Sequence, residues 1–112
     1  MASPINVFRT ITADVTTANE IIYSSPLGNT GIVLMAQVAN ITTSSAEITF
    51  THFNSSTNTD TELVKGFTIP GNDSTSLITG KLIIEEGNSI KIYASSDNAF
   101  KITLSVLESL NA

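Results

Sequence analysis

The sequence predicts an all-β fold: a single antiparallel β-sandwich, jelly-roll or Ig-like, of about eight strands. Three observations carry this expectation. Short runs of β-branched and aromatic residues alternate with polar ones along the whole chain, as strands with one buried face require. Clusters of Ser, Thr, Asn, Gly and Pro interrupt these runs at short intervals, and such residues make turns. Only 106–110 has a helical look, and it is too short to stand as a helix.

The first run is Ile5 to Val15, where Val7, Ile11, Ala13 and Val15 alternate with polar residues. Its threonines favour strand over helix because β-branching stiffens χ1. Glu20 to Tyr23 is a second, short strand, ended by the turn Ser24 to Thr30 with Pro26 and Gly28. Gly31 to Ile41 is the strongest strand. Both its faces are mostly apolar, which predicts a central strand covered on both sides or facing another subunit. Ala46 to Phe53 alternates next, then the polar stretch Asn54 to Thr61 forms an exposed loop tip.

Glu62 to Ile69 is strand-like and is closed by Pro70-Gly71-Asn72-Asp73. Ser74 to Ile78 and Lys81 to Glu85 read as two short strands or as one strand broken at Gly80. Glu86-Gly87-Asn88 is a tight turn. Ser89 to Ala94 and the run from Phe100 to Val106 are the last two strands. The expectation is one domain over residues 1–112, with 1–6 as an extended N-terminal arm able to pair with a neighbouring sheet edge.

Composition excludes several functions. A domain of this length buries roughly 65% of its unfolded surface, enough for a core without staples. There is no cysteine, so neither disulfides nor a thiolate zinc site is expected. The net charge is −5, and the basic residues Arg9, Lys65, Lys81, Lys91 and Lys101 are scattered. That pattern lacks the basic footprint of a nucleic-acid binder. No apolar run approaches the about 20 residues of a membrane helix, and the start lacks the basic and apolar regions of a signal peptide. Synthesis in a cytoplasm, with no membrane and no nucleic-acid partner, is expected.

Chemistry is sparse. His52 is the single imidazole, placed by period on the face of Phe50. Without a cysteine, a nucleophile motif or a second histidine, it reads as a half-buried strand-end side chain and not as a base or ligand. Glu85 and Glu86 are adjacent and point to opposite faces of a strand, so they do not converge as an acid/base pair. Asp60, Glu62 and Asp73 have no cation-loop spacing around them. Asn40, Asn54 and Asn72 begin glycosylation-type triplets but read as turn residues, with Asn40 hydrogen-bonding backbone where a strand ends. No catalytic residue, cofactor or metal is expected, and the chain is read as no enzyme.

The segment Ile22-Tyr23-Ser24-Ser25-Pro26-Leu27-Gly28-Asn29-Thr30-Gly31-Ile32-Val33-Leu34, running on to Gln37-Val38-Ala39-Asn40, resembles small virion proteins of tailed bacteriophages. So do Ile69-Pro70-Gly71, Leu77, Gly80-Lys81-Leu82, Glu86-Gly87-Asn88-Ser89-Ile90-Lys91-Ile92 and the terminal Ile102 to Glu108. The resemblance covers residues 20–109 and consists mostly of turn-and-strand grammar. It implies a β-sandwich structural component of a phage particle, located in the virion and without enzymatic activity.

A chain with few charges and no catalytic set suits a packing module repeated many times on a particle. The leading expectation is a capsid decoration or cement protein bound to the outer shell. Its partners would be the major capsid protein or other virion proteins, and copies of itself as a homo-oligomer. A neck, tail or fibre-base protein is the alternative. A carbohydrate-binding attachment module is the second alternative, disfavoured because tryptophan is absent. Tyr23, Pro26, Met35 and Phe53 are the expected exposed intersubunit contacts.

Overall fold

The computed structural model describes residues 6–111. Of the expected arm at 1–6, residues 1–5 lie outside the described residues, and Asn6 is the first residue of a strand. The chain forms β1 (Asn6–Val15), β2 (Glu20–Ser24), β3 (Asn29–Asn40), β4 (Ala46–Asn54), β5 (Thr59–Ile69), β6 (Ser74–Ser76), β7 (Leu82–Ile84), β8 (Ser89–Ala94) and β9 (Phe100–Leu110). Strand β9 runs straight through 106–110, the segment with helical spacing.

The strands make two antiparallel sheets. In the first the order is β1-β9-β3, with β6 and β7 both paired to the far side of β3. In the second it is β2-β8-β4-β5. Strands β1 and β2 are consecutive in sequence but lie in different sheets, each beside a late strand. The chain therefore wraps as a jelly roll, and the Ig-like alternative falls. Counting β6 and β7 as two pieces of one edge strand gives eight positions. Both readings of 74–85 meet here: two short strands, parted around Gly80, occupy one place beside β3.

Alternation sets the core. Along β9, Phe100, Ile102, Leu104 and Val106 point inward and are buried. They meet Ile48 and Phe50 of β4 and Ile90 and Ile92 of β8 from the other sheet. Strand β3 is central, as expected, but among the described residues only one of its faces is covered. A bulge between Val33 and Met35, where it pairs with β9, turns both Leu34 and Met35 outward before Ala36 returns to the core.

Two corners are pinned by particular groups. Asn40 is 2% exposed at the end of β3. Its side-chain nitrogen donates to the carbonyls of Ser44 (2.9 Å) and Ile69 (3.0 Å). Its oxygen accepts from the Thr42 amide (2.9 Å) and hydroxyl (2.7 Å). The Pro70–Asp73 turn packs against this corner so closely that a Cβ on Gly71 would lie 2.3 Å from the Thr43 carbonyl carbon.

Candidate interaction surface

The outer face of the first sheet is where the chain leaves apolar surface organised. Register across four strands aligns Phe8 of β1 with Leu107 of β9, Leu107 with Ile32 of β3, and Ile32 with Ile83 of β7. Their side chains stand on the same side because directly paired residues share a face. Phe8 is 75% exposed and Ile83 58%, with Leu107 and Ile32 half-buried between them. At a strand spacing of about 4.8 Å the row is about 14 Å long. Leu34 and Met35, turned out by the bulge, extend it along β3. On β1 and β9 the row gives way to Thr10, Thr12 and Thr103 and then to an exposed Asp14–Lys101 pair, 3.7 Å apart, whereas on β3 the exposed Ile41 follows Gln37 and Ala39.

A second apolar feature lies on the open seam of the sandwich, between β5 and the β6–β7 break. It is a groove of about 440 Å³ lined by Leu63, Val64, Phe67, Leu77, Ile78 and Leu82. It has no titratable group except Lys81 along its rim.

One charged group is drawn inside. Glu108 sits on the inward face of β9, past Val106, and is buried. It accepts a hydrogen bond from the Tyr23 hydroxyl at 2.7 Å and lies 3.6 Å from the Arg9 guanidinium. Burial, reinforced by the Glu108 carboxylate, holds the Tyr23 phenol well above its usual range. The three groups tie β2 to β9 and β1.

The expected contact residues are not brought together. Tyr23 is 6% exposed, so the expectation that it is an exposed contact is corrected: its ring packs over Gly31 and its hydroxyl is committed to Glu108. Pro26 is exposed at the β2–β3 turn beside the exposed Leu27. Met35 is half-buried and joins the apolar face of the first sheet. Phe53 is half-buried on β4, with the Lys91 ammonium 4.1 Å from its ring centre and 3.1 Å from Asp60. The residues that do form an apolar row, Phe8, Ile32, Ile83 and Leu107, were not singled out from sequence. Their alternation was readable, but the register joining four distant segments was not.

His52 is half-buried and paired with Ile90, on the core-facing side at the end of β4. Glu85 and Glu86 are exposed in the turn closed by the Asn88 amide donating to the Glu85 carbonyl at 2.9 Å. Among the described residues no three His, Asp or Glu side chains converge as a metal site. Among them no helix is long and apolar enough to cross a membrane.

No protein-family profile matches the chain, and no curated protein matches its sequence. Three solved structures are similar in fold. A protein of Bacillus endospore appendages, described as disulfide-linked pili, superposes with a TM-score of 0.59 at 10% identity, covering 96% of this chain and 88% of the other. A protein of the Helicobacter pylori bacteriophage KHP30 capsid gives 0.58 at 13% identity, covering 99% and 92%. A protein of the IBDV viral particle gives 0.55 at 10% identity, covering 98% of this chain but 32% of that one. At these identities the likeness is one of fold.

Proposed function

We propose that this chain is a non-enzymatic structural protein of a bacteriophage virion, bound to the outer shell as a decoration or cement protein. The observation that carries the reading is the apolar row Phe8–Leu107–Ile32–Ile83 on one outer sheet face. A face of this kind is unfavourable in water and suits a protein–protein contact. Among the described residues no three His, Asp or Glu side chains converge. The fold likeness to a phage capsid protein, a viral particle protein and a pilus protein supports an assembly role. The resemblance of residues 20–109 to small phage virion proteins supports the particle as its place.

Its partners in this reading are the major capsid protein and copies of itself, and each modest contact gains strength by repetition over the shell. The test is the copy number in purified particles, by quantitative mass spectrometry against the major capsid protein. About one copy per capsid subunit, or about one per three, is the expected result for a symmetric shell. Roughly a dozen copies would move the chain to the neck, tail or fibre base. Absence from particles would overturn the virion reading.

A further inference from the structure

A sandwich with open sheets has four edges, and each exposes unpaired backbone donors and acceptors that invite another strand. Three of the four are blunted. Strand β2 is 5 residues long, with a register shift between Ile21 and Tyr23. Strands β6 and β7 are 3 residues each and are separated by the loop around Gly80. Strand β5 is long, but its pairing with β4 shifts twice, Gly66 has φ +58°, and it carries Asp60, Glu62 and Lys65. Bulges and charges of this kind are how natural edges avoid pairing.

Strand β1 has no bulge or break. It is 10 residues long and pairs with β9 in unbroken register from Asn6 to Val15. It contains no Gly or Pro, and its two charges, Arg9 and Asp14, cancel. That matters in a chain of net charge −5, because copies that repel elsewhere do not repel here. Every residue from Asn6 to Asp14 is exposed or half-exposed, whereas Val15 is 1% exposed. The free edge therefore ends at Asp14.

We propose that β1 is a self-pairing edge: two copies of the chain join β1 to β1 in a continuous antiparallel sheet about a two-fold axis at Thr10. The partner follows from the inventory of edges. Strand addition needs a usable edge on each side, and among the described edge strands only β1 is long and paired without a break. Use of the same edge by both copies makes the contact isologous, and hence two-fold and antiparallel. The register follows from faces and charge. Paired residues stand on the same side of the sheet, so odd positions meet odd and even meet even. Pairing all of Asn6 to Asp14 sets Thr10 opposite the partner's Thr10, Phe8 opposite the partner's Thr12, and Asn6 opposite the partner's Asp14. Shifting one step toward the N-terminus sets Arg9 against the partner's Arg9. Shifting toward the C-terminus calls on the covered backbone of Val15.

Sedimentation of the full chain tests this without reference to particles, so its outcome is independent of the virion reading. The unaltered chain is expected to dimerise reversibly between micromolar and millimolar concentration. Thr10 is exposed on the outer face and pairs with Ser105, so Thr10→Lys and Thr10→Glu each keep the fold, which circular dichroism and thermal unfolding verify. Each alone sets like charges together on the axis and is expected to weaken the dimer at least about tenfold. An equimolar mixture of the two is expected to restore it as a heterodimer. An unaltered chain that stays monomeric throughout, variants that dimerise as well as the parent, or a mixture that fails to pair would each overturn the proposal.

Discussion

The Tyr23 hydroxyl, on β2 of one sheet, donates at 2.7 Å to the Glu108 carboxylate on β9 of the other. It is a cross-sheet bond at the end of the core where inward-facing residues give way from Val106 to Glu108. Arg9, 3.6 Å from the same carboxylate, is more than half exposed and screened by solvent, so the phenol is the firmer partner. Tyr23→Phe removes it and leaves a buried carboxylate under-bonded. The expected cost is about 1–3 kcal/mol of stability, read from urea unfolding at neutral pH. No change would mean that water replaces the hydroxyl without loss.

The same bond gives the protein an alkaline limit. Burial and the neighbouring carboxylate raise the Tyr23 pKa in the folded state. The unfolded chain therefore loses this proton first. The stabilising contribution is complete below the unfolded value of about 10 and is lost as pH rises beyond it, by about 1.4 kcal/mol per pH unit for one proton. Denaturation midpoints measured from pH 8 to 11 are expected to fall steeply at the upper end for the parent chain. The fall should be shallower for Tyr23→Phe, and equal slopes would remove Tyr23 as the source.

Gly31 makes this arrangement fit. A Cβ there would lie 2.6 Å from the Tyr23 hydroxyl oxygen and 2.9 Å from a ring carbon. The backbone of β3 approaches the ring because nothing projects from it. Gly31→Ala is expected to destabilise by about 1–3 kcal/mol through overpacking. The cost should shrink when Tyr23 is also truncated to alanine, since the two changes share one contact. Additive effects in that double-mutant cycle would mean that the clash is relieved elsewhere.

What the sequence disclosed and what it hid divide along the range of the interactions. Strands β3, β8 and β9 and the turns at Pro70 and Gly87 were legible because alternation and turn chemistry are local. The break at Gly80 and the corner role of Asn40 were legible for the same reason. The burial of Tyr23 was not, because it depends on a glycine across the fold and a carboxylate from the last strand. The row from Phe8 to Ile83 was hidden as well. Each member looked like an ordinary outward residue until the register of β1, β9, β3 and β7 aligned them. The outward turn of both Leu34 and Met35 depends on a bulge that the apolar run itself does not announce.

Asn40 offers a sharp check on the local reading. Its amide donates to two carbonyls and accepts from two donors within a buried corner. Asn40→Ala strands these groups and is expected to cost about 2–4 kcal/mol. Asn40→Asp keeps the acceptors but replaces the donor with an oxygen facing the Ser44 and Ile69 carbonyls, so it should be at least as damaging at neutral pH. Recovery of Asn40→Asp at low pH, where a protonated carboxyl donates again, would be visible as a thermal midpoint that rises relative to the parent on acidification.

Phe8 and Ile83 separate surface function from stability. Both are exposed and stand at the two ends of the apolar row. Neither belongs to the buried core. Substitutions to aspartate at such positions change folding stability by about 0.5 kcal/mol or less when no buried group depends on them. Aspartate nonetheless places a charge where a partner must exclude water, and one uncompensated charge in a contact costs several kcal/mol. Phe8→Asp and Ile83→Asp are therefore expected to unfold at the parent's midpoint while failing to incorporate into particles assembled without the native protein. Leu27→Asp, at an exposed turn away from the row, should incorporate normally. Normal incorporation of both row variants would place the particle-binding surface elsewhere, with the seam groove at Leu63 and Phe67 as the next surface to alter.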